Sequence, residues 1–131
     1  MKYIPQAPPF EMIDALLDAA GGNATTTLTI RPDNILVDGN AFTAAGLIEN
    51  MAQTAASGAG FEAHSRQQPP QVGFIGAVKG FYVSQLPLVQ DRIITKTTVL
   101  NVIGQVQVVK GEVFLDGHCI AGAEYKIFLQ D

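Results

Sequence analysis

The chain has a single cysteine among its 131 residues, Cys119, so an internal disulfide is impossible and no thiolate cluster can hold zinc. A lone cysteine in a strand-like stretch reads as a small buried hydrophobe. Charge is also scarce: 15% of residues are charged against 47% apolar, which leads us to expect that a partner subunit covers part of the surface. The eight basic residues are scattered and the net charge is -4, so no basic stripe exists to follow a phosphate backbone, and no nucleic-acid partner is expected. No apolar run approaches the roughly 20 residues that span a bilayer, so no membrane partner is expected. Residues 1–10 carry one lysine and no apolar signal core, so a cytoplasmic protein is expected. No Ser-His-Asp or Cys-His pattern, Gly-rich phosphate loop or metal-ligand spacing occurs, so neither cofactor nor metal is expected.

What is present fits one domain over residues 1–131, long enough to bury roughly two-thirds of the surface of its unfolded chain. Pro5, Pro8 and Pro9 make the start an extended lead-in, with Phe10 expected to anchor it to the core. Residues 11–20 fit a helical face and a bulged strand about equally, because Met12, Ile13, Leu16 and Leu17 satisfy both. The Gly21-Gly22-Asn23 turn signal and the β-branched run at 25–30 favour a hairpin. Asp38-Gly39-Asn40 marks a loop. After a linker at 65–71, strands are expected at 72–84, 93–102, 105–115 and 119–129, the last two joined by Asp116-Gly117, a strong hairpin signal.

Residues 43–62 form the clearest helix. Thr43 can cap it, and Leu47, Ile48, Met51 and Ala55 recur on one face. Most other positions are small, and Gly46, Gly58 and Gly60 each cost about 1 kcal/mol relative to Ala, so they need a packing reason. Close approach of surrounding β-structure supplies one. The expected fold class is therefore α+β, an antiparallel sheet wrapped around a central helix.

Glu49 is the leading chemical candidate. It stands in a nearly uncharged helix with Gln53 one turn on and able to hydrogen-bond it. Burial would keep such a carboxyl protonated and fit to act as a general acid; a favourable dipole interaction near the helix N-terminus explains it equally well. Amides around Ala45 and Gly46 at the helix start could polarise a thioester carbonyl. His64 lies fifteen residues beyond Glu49, roughly 22 Å along a helix, and cannot share its site within one chain. His118 follows the Asp116-Gly117 turn, where an exposed role is expected.

The helix segment Leu47-Ile48-Glu49-Asn50-Met51-Ala52-Gln53, with Pro8-Pro9-Phe10 before it and Phe74-Ile75-Gly76-Ala77-Val78-Lys79 after it, resembles the β-hydroxyacyl-acyl carrier protein dehydratases, nearest to those of aryl polyene and flexirubin pigment clusters. The resemblance implies a hotdog fold and a dimer with acyl tunnels at the subunit interface. It implies a partner bearing an acyl thioester, on acyl carrier protein or coenzyme A. It also implies Glu49 as the catalytic carboxylate, with Asn40, Ala45, Gly46, Gln53, Phe74 and Gly76 lining the substrate site. The family's loop histidine is replaced: Gly39-Asn40-Ala41-Phe42-Thr43 stands where Gly-His-Phe-Pro-Gly is usual, and a neutral Asn cannot serve as general base. Three readings follow: a dehydratase-type enzyme acting on 3-hydroxyacyl carrier-protein substrates, as a homodimer or with a related dehydratase; a non-catalytic subunit of a heterodimeric dehydratase whose other chain supplies the histidine; and a hotdog acyl thioesterase in which Glu49 activates water.

Overall fold

The computed structural model describes residues 3–69 and 72–130; the Pro70-Gln71 end of the expected linker lies outside them. Strands β1 (Ala15–Ala20) and β2 (Asn23–Thr29) form the first hairpin. Its turn is made by Gly21 and Gly22, both at positive φ, a conformation that a side chain would disfavour. The alternative of a helix over this stretch fails because β1 finds a partner in β2, with a bulge between Leu16 and Asp18 that absorbs the irregular apolar spacing.

Two short elements follow where the sequence pattern indicates only a loop. β3 (Val37–Asp38) and β4 (Ala41–Phe42) pair as a two-residue-long hairpin across Gly39 and Asn40, too short to leave an alternating pattern. The helix α1 (Ala44–Ser65) comes next, and Thr43 caps it by accepting the Gly46 N–H. Strands β5 (Val72–Val83), β6 (Arg92–Ile103), β7 (Val106–Leu115) and β8 (His118–Gln130) complete the chain. Asp116 and Gly117 both take positive φ, as the tight β7–β8 turn requires.

The six long strands form one antiparallel sheet in the order β1-β2-β6-β7-β8-β5. All six touch α1, so the sheet curls around the helix. The core lies between them, where Phe42, Leu47, Met51, Ile93, Val113 and Tyr125 are buried. The helix glycines have the packing reason expected of them. A Cβ on Gly46 would lie 2.6 Å from the Phe42 ring, one on Gly58 would lie 2.6 Å from the Ala24 Cβ, and one on Gly60 would strike the Tyr3 carbonyl. Gly58→Leu, with no room against β2, is expected to destabilise the protein by about 3 kcal/mol; an unchanged midpoint of thermal unfolding would show that the helix does not approach the sheet this closely.

Two burial expectations are corrected. Phe10 is 63% exposed rather than an anchor, because the chain turns at Pro8-Pro9 and Met12 and Ile13 take the inward positions. Cys119 is exposed, because it pairs with Phe114 on the outer face of the sheet while Ile120 and Ala121 turn inward after the bulge in β7–β8.

Enclosure of the helix is one-sided. Ala45, Ala56 and Ala59 are exposed and Glu49, Ala52 and Ala63 are half-buried, a stripe at helical spacing that the sheet leaves uncovered. The sheet also has an uncovered edge: among the described residues β5 pairs with β8 alone, and it exposes Phe74, Ile75, Val78, Tyr82 and Val83.

Candidate active site at the helix carboxylate

Glu49 projects from the second turn of α1, half-buried, on the uncovered stripe. Its Oε1 accepts a hydrogen bond from Gln53 Nε2 at 2.9 Å, the i, i+4 contact that the spacing allows. Gln53 is 1% exposed and reaches further. Its Oε1 accepts the Met12 N–H at 2.6 Å, and its Nε2 also donates to the Phe10 carbonyl at 2.9 Å.

Asn50 lies beside it, fully buried, donating to the Met12 carbonyl at 2.8 Å and accepting from the Thr95 hydroxyl at 2.6 Å. Thr54 continues the polar line: its hydroxyl is 2.7 Å from that of Thr26 on β2 and bonds the Asn50 carbonyl. Asn50, Gln53, Thr54 and Ser57 recur at i, i+3, i+4 and i+7, so one buried helix face is polar throughout. Each of these bonds satisfies a group that burial would otherwise penalise by about 1–3 kcal/mol.

Tyr125 of β8 closes the other side, its hydroxyl donating to the Ile48 carbonyl at 2.6 Å. Burial pushes its phenol well above the ordinary tyrosine range, and the nearby Glu49 charge adds to the shift. Tyr125 is therefore a neutral hydrogen-bond donor next to the carboxylate.

The residues picked from sequence are only partly gathered here. Glu49 and Gln53 meet directly. Gly46 is buried against Phe42, and its N–H is spent on the Thr43 cap, while Ala45 is exposed in the same first turn. Asn40 sits exposed in the β3–β4 turn, its carbonyl accepting the Val89 N–H. Phe74 and Gly76 lie on edge strand β5, with Gly76 against the Phe128 ring. His64 is exposed in the last turn of α1 and His118 is exposed at the start of β8. Sequence reasoning missed Asn50, Met12 and Tyr125 as neighbours of the carboxylate. The available signal was Asn50 and Gln53, two polar residues three apart in a stretch, 44–61, where Glu49 is the only other residue that is neither small nor apolar.

A family model described as "ApeP-like: ApeP dehydratase" matches residues 1–131. The chain belongs to this dehydratase family. Among solved structures, one titled as the dehydratase heterocomplex ApeI:P from Xenorhabdus doucetiae superposes with a TM-score of 0.85 at 13% identity, covering 99% of this chain and 90% of that one. A hypothetical thioesterase with coenzyme A from Streptococcus pneumoniae gives 0.73 at 10% identity, covering 88% and 84%. The phenylacetic acid degradation protein PaaI from Thermus thermophilus, as an N33D mutant, gives 0.68 at 16%, covering 87% and 90%. These likenesses establish the hotdog fold for the family member described here. A search of curated proteins found no match.

Proposed function

We propose that this ApeP-like protein is one subunit of a dehydratase that removes water from 3-hydroxyacyl thioesters, and that a related hotdog chain supplies the base it lacks. The observation that carries the reading is Glu49, held by Gln53 on the open helix stripe, while His64 lies in the last turn of the same helix and His118 at the start of β8, seven residues before Tyr125. In the reaction, a base takes a proton from C2 of the acyl chain. Protonated Glu49 gives its proton to the C3 oxygen, water leaves, and the electron pair of the broken C–H bond becomes the C2–C3 double bond. A second group must face Glu49 from outside the chain, and the uncovered stripe and edge strand β5 are where a partner can bring it.

The heterocomplex named for the structural neighbour supports a related dehydratase as that partner. Acyl carrier protein is the proposed carrier of the thioester, with coenzyme A as the alternative, and the proposed setting is fatty acid or aryl polyene lipid synthesis in the cytoplasm. The test mixes purified chain, alone and with a histidine-bearing relative, with a 3-hydroxyacyl thioester and follows the enoyl product. Turnover only in the mixture is expected. Turnover by the chain alone would refute the need for a partner, and release of free acid would point to the thioesterase reading.

Assembly is expected to run through β5. Val78→Lys places a charge on an exposed apolar position of the edge strand, which the isolated chain tolerates and a paired interface does not. Sedimentation should show loss of the complex with the circular dichroism of the chain unchanged; a complex that persists would move the interface elsewhere.

A further inference from the structure

The backbone of Met12 is held at both its N–H and its carbonyl by one helix face. Its N–H goes to Gln53 and its carbonyl to Asn50, two residues three apart on α1, and the neighbouring Phe10 carbonyl takes a hydrogen from Gln53 as well. These contacts decide which way round the Gln53 amide sits. Turned over, its NH2 would face the Met12 N–H and its oxygen would face the oxygens of Phe10 and Glu49, losing all three bonds. The orientation is therefore imposed by the N-terminal segment and not by Glu49.

With Nε2 locked in place, both of its hydrogens are spent, one on Phe10 and one on Glu49 Oε1. A carboxyl oxygen that faces an N–H cannot also carry a proton toward it. Because the carbonyl oxygen of a neutral carboxyl is the better acceptor, the Gln53 N–H favours Oε1 in that role and places the proton of a neutral Glu49 on Oε2, the oxygen left for a reacting group. We propose that Phe10 and Met12, acting through Gln53, are the positioning residues for Glu49, and that the N-terminal segment thereby determines which carboxyl oxygen exchanges protons. The catalytic consequence rests on the dehydratase reading above, whereas the coupling between segment and carboxylate does not.

The coupling is reciprocal, so disturbing Glu49 must loosen the segment. Hydrogen exchange at the Met12 amide in the full chain reads this directly. Glu49→Leu removes the acceptor and should speed Met12 exchange by about threefold to tenfold, the effect of weakening one buried hydrogen bond. Glu49→Gln, which can turn its oxygen toward Gln53, should restore protection close to that of the unaltered protein. Met12 exchange unchanged in Glu49→Leu would overturn the proposal.

A second arm uses the active complex. Gln53→Met should lower kcat by about tenfold or more while KM stays within about twofold, because orientation of a proton donor is lost and binding surface is not. An unchanged kcat in Gln53→Met, in a complex that Glu49→Gln inactivates, would overturn the positioning role while leaving the assignment of Glu49 intact. If Glu49→Gln keeps full turnover, Glu49 takes no part in the reaction and the catalytic consequence falls with it, and the exchange measurement still decides the coupling.

Discussion

Glu49→Gln is expected to reduce dehydration of a 3-hydroxyacyl thioester by about 10²- to 10⁴-fold, the usual contribution of a positioned proton-transfer group. The substitution is chosen because it removes the proton and little else. The amide has the shape of the carboxyl, its oxygen can still accept from Gln53, and the position is only half-buried. Folding and assembly should therefore survive, with a thermal midpoint close to that of the unaltered protein and an unchanged sedimentation profile with the partner chain. Substrate binding should also persist, so the loss falls on kcat more than on KM. Steady-state kinetics on the assembled complex, with enoyl formation as the readout, decides it. Activity within a few-fold of the unaltered protein would remove Glu49 from the reaction. The carboxylate would then be a residue placed near a helix N-terminus for its favourable dipole interaction.

This result would separate what the residue pattern makes legible from what it hides. The helix is readable because three glycines inside one apolar segment are costly without close neighbours, and Phe42, Ala24 and Tyr3 are those neighbours. The β7–β8 hairpin is readable because Asp116-Gly117 supplies the two positive φ angles that a tight turn demands. The contact between Glu49 and Gln53 is readable from spacing alone.

Contacts made across long stretches of chain are another matter. Gln53 meets Met12 and Phe10 across about forty residues, and no local pattern encodes that pairing. Phe10 misleads for the same reason: an aromatic residue after two prolines reads as an anchor, whereas the backbone of that segment, and not its ring, does the anchoring. The buried polar stripe of α1 is hidden because a helix lined by Asn50, Gln53, Thr54 and Ser57 is expected to show that face to water. Asn50, Gln53 and Thr54 can be buried there because β2, β6 and the N-terminal segment return partners for them. Glu49 lies on the open side of a helix whose opposite side is fixed in this way, so the precision of the site depends on the polar stripe behind it.

The second large effect tests that dependence. Asn50→Leu keeps the volume of the side chain but leaves two buried groups, the Met12 carbonyl and the Thr95 hydroxyl, without their partner. At about 1–3 kcal/mol for each unsatisfied group, the expected loss is about 3 kcal/mol. For a domain of this length that is a fall of about 10 °C in thermal midpoint. Thr95→Val alone strands the Asn50 oxygen and should cost about 1–2 kcal/mol. In the double variant the Thr95 hydroxyl is gone together with its partner, so only the Met12 carbonyl remains unsatisfied. The double loss should therefore be smaller than the sum of the single losses by about 1 kcal/mol or more. Denaturant melts of the four proteins measure the coupling, and strict additivity would mean that Asn50 and Thr95 do not share a bond. Because Gln53 and Asn50 hold the N–H and the carbonyl of the same residue, Met12, Asn50→Leu should also speed hydrogen exchange at Met12 more than at the Val109 amide in the centre of the sheet. The loosening would then reach Glu49 through Gln53, joining the stability of the polar stripe to the orientation of the carboxylate.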